Sequence, residues 1–305
     1  MKKITAILIA VAMLVTVLCS CKVEKEQKSK ILLATSFYPV YIFTLNVVNG
    51  IDDISVECMA EQNTGCLHDY QILSKDARLI ADADVFIING AGMEEFLADV
   101  YEGVENLVVI DSSESVKLLE SCEEEHHENE HDGHHHSINS HIWMSVKNAV
   151  VQVENIADGL GVLYPQYKEQ IEKNKNDYVK RLQLLDKQLE EDSKILDGKN
   201  IITFHESYDY LARDYSFNVI ARVESHDGGE PSAKELADLT ALINSEGVKV
   251  LFTEPNYNGS AATILSNETG VEICKLNPVT EGEGTLTSYE DIMKENMNLI
   301  LEAVN

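Results

Sequence analysis

The 305-residue chain is short of positive charge, with 24 lysines and arginines against 52 aspartates and glutamates. A net charge of −28 excludes a surface built to hold nucleic acid or anionic lipid, because it repels polyanions and gathers cations. Long apolar runs are scarce too. The single extended one, Ile4 to Leu18, falls short of the roughly 20 residues of a membrane helix, and nothing later approaches that length. None of the six cysteines forms a CxxC pair, so short-spaced zinc ribbons are excluded. No Gly-rich phosphate loop of the Walker type occurs, which rules out a nucleotide-hydrolysing transport subunit. The metalloprotease HExxH is absent as well, since His205-Glu206 runs on into Ser207-Tyr208-Asp209.

At the N-terminus, Lys2 and Lys3 precede the Ile4 to Leu18 stretch, the layout of a secretory signal. Leu18-Cys19-Ser20-Cys21 follows the bacterial lipoprotein pattern, with a branched aliphatic three residues before Cys21 and a small residue just before it. Residues 1–20 are therefore expected to be removed, Cys21 to carry the lipid, and residues 21–29 to act as a polar tether. Two acyl chains would anchor the protein to the outside of the cell membrane without embedding it. Loss of Lys2 and Lys3 takes the charge of −28 to about −30. Cys58, Cys66, Cys122 and Cys274 lie far apart; Cys58 and Cys66 are the nearest couple, and spacing assigns no disulfide.

Short apolar runs at residues 30–36, 54–59, 85–89 and 107–111 read as buried strands. Amphipathic stretches lie between them, including residues 74–82, with Ser74 as cap and Ala77, Ile80 and Ala81 on one face, and residues 93–100. Alternation of this kind predicts a parallel sheet covered on both sides. From Ser145 the helical period returns in Val146, Ala149, Val150, Val153, Ile156, Ala157 and Leu160, until Gly159 and Gly161 are expected to loosen it. Residues 30–163 would make a first lobe.

Residues 122–137 break this pattern with CEEEHHENEHDGHHHS. A segment with almost nothing apolar cannot build a core, and is expected to be a loop. Its histidines, His126, His127, His131, His134, His135 and His136, offer exchangeable ligands to a borderline metal. The cluster is internal and mixed with acids, unlike an expression tag.

Residues 164–197 read as one connecting helix, with Ile171, Tyr178, Leu182, Leu185 and Leu189 on a stripe, Pro165 at the start and Gly198 beyond the end. Such a helix is a stiff connector, so large hinge closure is not expected. In residues 198–305, runs at 200–204, 217–221, 248–253 and 271–276 alternate with helical stretches at 207–215, 232–244 and 261–268. The fold class is thus α/β, two lobes each with a parallel sheet flanked by helices, joined by one long helix. Ligands of open α/β sheets sit beyond the carboxyl ends of the strands, here in the cleft between the lobes.

Four histidines lie outside the acidic loop. His205 directly follows the run Ile201 to Phe204, His68 lies in a turn-rich stretch after the second strand, and His141 stands between the His-rich loop and the helix from Ser145. Taken singly each is an ordinary polar loop residue; the weight lies in their combination with an exported, acidic, His-loop chain. His226, in a Gly-rich loop, is left out of the site.

Five segments carry a resemblance: Gly65-Cys66-Leu67-His68-Asp69-Tyr70, Ser140-His141-Ile142-Trp143-Met144-Ser145, Thr203-Phe204-His205-Glu206-Ser207-Tyr208, Phe252-Thr253-Glu254-Pro255 and Leu276-Asn277-Pro278. In this order, after a lipoprotein start, they resemble the metal-binding receptors of bacterial ABC importers, specifically the zinc-type, ZnuA-like branch (cluster A-I), over residues 30 to 305. The resemblance implies a non-enzymatic, monomeric receptor that holds Zn2+ as cargo between its lobes and hands it to an importer permease. It implies His68, His141 and His205 as imidazole ligands. Manganese-type relatives place a carboxylate at the third position, and three neutral nitrogens suit zinc better than manganese. The fourth ligand is expected to be Glu281, with Asn277, water or a histidine of the loop as alternatives. Asp69, Glu206 and Glu254 are expected either to orient the ligands or to cap helices and face water. Rival readings are a manganese or other divalent-metal receptor of the same family, a zinc-dependent hydrolase with Glu254 or Glu206 as base, and an adhesin with incidental metal.

Overall fold

The computed structural model describes residues 30–62, 70–121, 138–223, 230–257 and 259–304. In the first lobe β1 (Ile31–Thr35), β2 (Ile54–Cys58), β3 (Val85–Ile88) and β4 (Val108–Asp111) pair in parallel in the order β2-β1-β3-β4. The register sets Ile31 against Ile54, Leu33 against Val85, and Val85 against Val108. Parallel neighbours need crossovers. These are α1 (Tyr38–Val47), α2 (Ser74–Asp82), and a 3-10 turn at Glu95–Leu97 leading into α3 (Ala98–Glu102).

Two local expectations are corrected here. Ser74 does not cap α2: the N-cap is Leu73, and Asp76 reaches back to accept from the Leu73 N–H at 2.8 Å. Asp76 is buried with Ile80, whereas Ala81 is exposed. In α4 (Val146–Leu163) the helix runs through Gly159 and Gly161 without loosening. A Cβ on Gly159 would lie 2.9 Å from Ile110 Cδ1, so the glycine lets α4 lie close against β4. Ser145 does cap α4, accepting from Asn148 N at 3.1 Å.

The connector is α5 (Lys168–Asp192), flanked by 3-10 turns at Pro165–Tyr167 and Ser193–Leu196. Its 25 residues span about 38 Å at 1.5 Å each. The predicted stripe is buried, together with Asn174, whose Nδ2 donates to the Val47 and Asn49 carbonyls past the end of α1. Beyond it β5 (Asn200–Thr203), α6 (Asp209–Tyr215), β6 (Asn218–Arg222), α7 (Ala233–Glu246), β7 (Val250–Thr253), α8 (Ala261–Thr269) and β8 (Glu272–Lys275) repeat the winding of the first lobe, in the order β6-β5-β7-β8.

Two helices lie outside the elements that hydrophobic patterning delineates. α1 is buried at nearly every position, so it shows no periodic face. α9 (Ser288–Val304) closes the chain and packs on α1 and α5, so the last helix of the second half belongs to the interface between halves. One hydrophobic cluster accordingly runs from Leu33 and Phe86 through Tyr178 and Leu185 to Ile201, Phe252 and Met293. A smaller one, with Ile202, Leu251 and Leu265, fills the other face of the second sheet. Among the described residues no helix is long and apolar enough to cross a membrane.

Candidate metal centre

In the second sheet the chain leaves β5 for β6 on one side and returns to β7 on the other, so the gap between the carboxyl ends of β5 and β7 is its topological switch point. His205 follows β5 there, and Glu254 follows β7. The backbone rises into the rim in register, Thr203 opposite Phe252, with Phe204 N donating to Phe252 O at 2.8 Å. The turn 276–281, after β8, stands on the same rim.

His141 arrives from the first lobe. It precedes a 3-10 turn, Ile142–Met144, on a segment held over the end of β3 by Asn89, whose Nδ2 donates to Ser140 O at 3.0 Å. The His141 and His205 rings lie 4.8 Å apart between centroids and 74° apart in plane. Two imidazoles sharing a tetrahedral ion at about 2.0–2.1 Å from each nitrogen would have centroids about 5 Å apart. The pair therefore has the spacing a shared ion requires.

The hydrogen bonds behind each ring fix its tautomer. Asn139 Oδ1 accepts from His141 N at 3.0 Å and lies 2.9 Å from His141 Nδ1, while its Nδ2 faces the acceptors Glu206 O and Asp209 Oδ2. The amide cannot be turned round, so Nδ1 must carry the proton and the lone pair falls on Nε2. At His205, Ser207 Oγ donates its one proton to Glu254 Oε1 at 3.0 Å, and so must accept from His205 Nδ1 at 2.7 Å. Again Nε2 holds the lone pair. Both rings, in their uncharged form, thus carry the lone pair on Nε2, each held from behind in the way metal-binding histidines usually are.

Trp143 locks the geometry. Its indole Nε1 donates to Pro278 O at 2.7 Å, its carbonyl accepts from Tyr289 Oη at 2.7 Å, and its ring stands against Phe37 at 4.8 Å and His141 at 5.1 Å. The first-lobe segment is so riveted to two elements of the second.

The turn after β8 carries both residues expected as the fourth ligand, and it engages them differently. Asn277 is committed to the backbone: Oδ1 accepts from Thr280 N at 3.2 Å, and Nδ2 donates to Glu281 O at 3.0 Å. It shapes the turn that carries Glu281. Val279 within it sits at φ 60, a left-handed conformation unfavourable for a β-branched residue. Glu281 Oε2 is buried with no hydrogen-bond partner among the described residues, an arrangement that costs free energy unless a donor or a cation meets it. Gly282 N donates to Gln62 Oε1 at 3.0 Å, tying this turn to the first lobe.

Of the carboxylates expected to orient the ligands, Glu254 accepts from Ser207, whose hydroxyl also contacts His205 Nδ1. Glu206 Oε1 is 3.9 Å from His141 Nδ1, beyond a hydrogen bond, and Glu206 Oε2 accepts from Ser121 Oγ at 2.8 Å. His68, Asp69, Cys66, His226, the loop histidines 126–136, Cys122 and Cys21 lie outside the described residues. Cys58 and Cys274 carry free thiols, and burial pushes that of Cys58 up to about 12. Among the described residues no three His, Cys, Asp or Glu side chains form a metal-binding group, so the two imidazoles are what the described chain brings together. Sequence reasoning missed Asn139 and Ser207. Both stand two residues from a histidine, the separation at which short polar side chains bond back to their own loop.

A family model for the periplasmic zinc-uptake complex component A matches residues 33–303. The chain belongs to this family. It is 32% identical over its whole length to the zinc-binding lipoprotein AdcA of Streptococcus pneumoniae, and spans 62% of that protein. To the high-affinity zinc uptake system protein ZnuA of Bacillus subtilis it is 31% identical, over 90% of this chain and 88% of the relative. Among solved structures, Zn(II)-bound AdcA from Streptococcus pneumoniae superposes with a TM-score of 0.73 at 30% identity, covering 90% of this chain and 57% of that one. The two parallel sheets with a long helix between them are thus shared with solved members of the family.

Proposed function

We propose that the protein captures zinc outside the cytoplasmic membrane and passes it to the permease of an ABC importer. The observation that carries the reading is the His141–His205 pair, 4.8 Å apart with both lone pairs forced onto Nε2. His68 supplies the third nitrogen and Glu281 the carboxylate, closing a four-coordinate site. A closed site binds without opening a position for water, which favours a receptor over a hydrolase. Membership of a zinc-uptake family and the zinc-binding relatives support the same metal. The chain acts as a monomer held to the membrane through Cys21, and the histidines of residues 126–136 collect metal for the main site by weak, exchanging contacts. Imidazoles bind only when neutral, so capture weakens as pH falls below about 6.5.

Elemental analysis of the whole chain tests this. One zinc per chain is expected, abolished by His205→Ala with the metal-free melting temperature unchanged. Zinc retained by His205→Ala, or manganese taken in preference from an equal mixture, would defeat the reading.

A further inference from the structure

We infer that Asn139 is a positioning residue for the metal site: its amide, accepting towards one lobe and donating towards the other, sets His141 in place relative to the strand end that bears His205. The inference rests on the zinc-receptor reading above and concerns how that site is held.

Asn139 is fully buried and all its polar groups are engaged. Oδ1 serves the N–H and Nδ1 of His141. Nδ2 donates to Glu206 O at 3.1 Å and to Asp209 Oδ2 at 3.4 Å, both in the second lobe. The backbone N–H donates to Leu119 O at 3.0 Å, and the carbonyl accepts from Tyr210 Oη at 2.7 Å. Glu206 follows His205 directly, so one side chain spans from one imidazole to the backbone beside the other.

This placement dictates an amide. A carboxylate behind a metal-binding imidazole ordinarily raises its basicity and strengthens binding. Here an aspartate would still accept from His141, yet it would lose the donor to Glu206 O and set a second carboxylate against Asp209. Asp209 already spends Oδ1 on Arg222, at 2.6 and 3.1 Å, and turns Oδ2 towards position 139, where it meets the Asn139 amide as an acceptor. Asn139→Asp should therefore weaken zinc binding, opposite to the general trend.

The test measures zinc dissociation constants by chelator competition for the whole wild-type chain, Asn139→Asp, and the double variant Asn139→Asp with Asp209→Asn, alongside absorption spectra of the cobalt-loaded forms. Expected are a loss on the order of 10- to 100-fold in the single variant with altered cobalt bands, and partial recovery in the double variant, where the amide introduced at position 209 restores a donor. Zinc bound by Asn139→Asp as tightly as by wild type, or no recovery in the double variant, overturns the inference. Nitrogen-15 spectra of the metal-free wild type give a check that needs no variant: His141 protonated at Nδ1 is expected, and protonation at Nε2 overturns it. Wild type without zinc affinity would instead sink the receptor reading itself.

Discussion

Glu94 is a buried carboxylate and the half-buried Glu281 has one buried oxygen, and they differ in what meets them. Glu94 Oε1 and Oε2 accept from the backbone N–H groups of Asn89 and Gly90, at 2.8 and 3.0 Å. Burial nevertheless pushes its pKa up to about 7 from 4.5. The folded chain therefore holds a proton that the unfolded chain releases between these values. Glu94 stabilises fully below pH 4.5, and that contribution is lost as pH rises through 7, about 3 kcal/mol in all. Urea unfolding in chelator should show wild type losing roughly this amount relative to Glu94→Gln between about pH 4.5 and 7.5. Glu281 Oε2 has no such donors among the described residues. On the proposed reading, in which Glu281 is a ligand, Glu281→Gln should weaken zinc by about tenfold or more in chelator competition, as losses around metal ligands do. Unchanged affinity would remove Glu281 from the site.

At the scale of elements, the residues on either side of the His-rich segment are bound to each other. Glu120 and Ile138 form an antiparallel bridge, Asn139 N bonds to Leu119 O, and Tyr210 Oη both accepts from Leu119 N and donates to Asn139 O. Replacing residues 123–136 by a short Gly-Ser linker should leave these contacts, the melting temperature and the equilibrium zinc affinity in place. Stopped-flow loading at nanomolar zinc should slow. A deletion that lowers affinity as well as rate would mean that the loop supplies a ligand.

For the whole molecule, α9 and α5 pass the core from one sheet to the other, so the halves share buried surface. Calorimetry of the metal-free chain should give one transition, and two would contradict the continuous core. Saturating zinc at roughly a thousandfold excess over the dissociation constant should add about 4 kcal/mol.

Alternation of strand and helix, the connecting helix and the kind of chemistry are all written in the residues alone. They rest on local periodicity, on imidazole as a residue type, and on short motifs in a fixed order. His141 and His205 were legible as candidates because they flank apolar runs and lie in segments that resemble the family's. The remainder came from the folded chain. The rings of His141 and His205 are 64 positions apart in the chain, and only two wound sheets and the Trp143 rivet bring them to 4.8 Å. Asn277 and Glu281 are both readable as ligands in the sequence, and only the folded turn shows the Asn277 amide spent on the backbone and one Glu281 oxygen without a partner among the described residues. Hydrogen-bond partners far apart in the chain leave no periodic trace, which is why Asn139 and Ser207 came to light only with the fold.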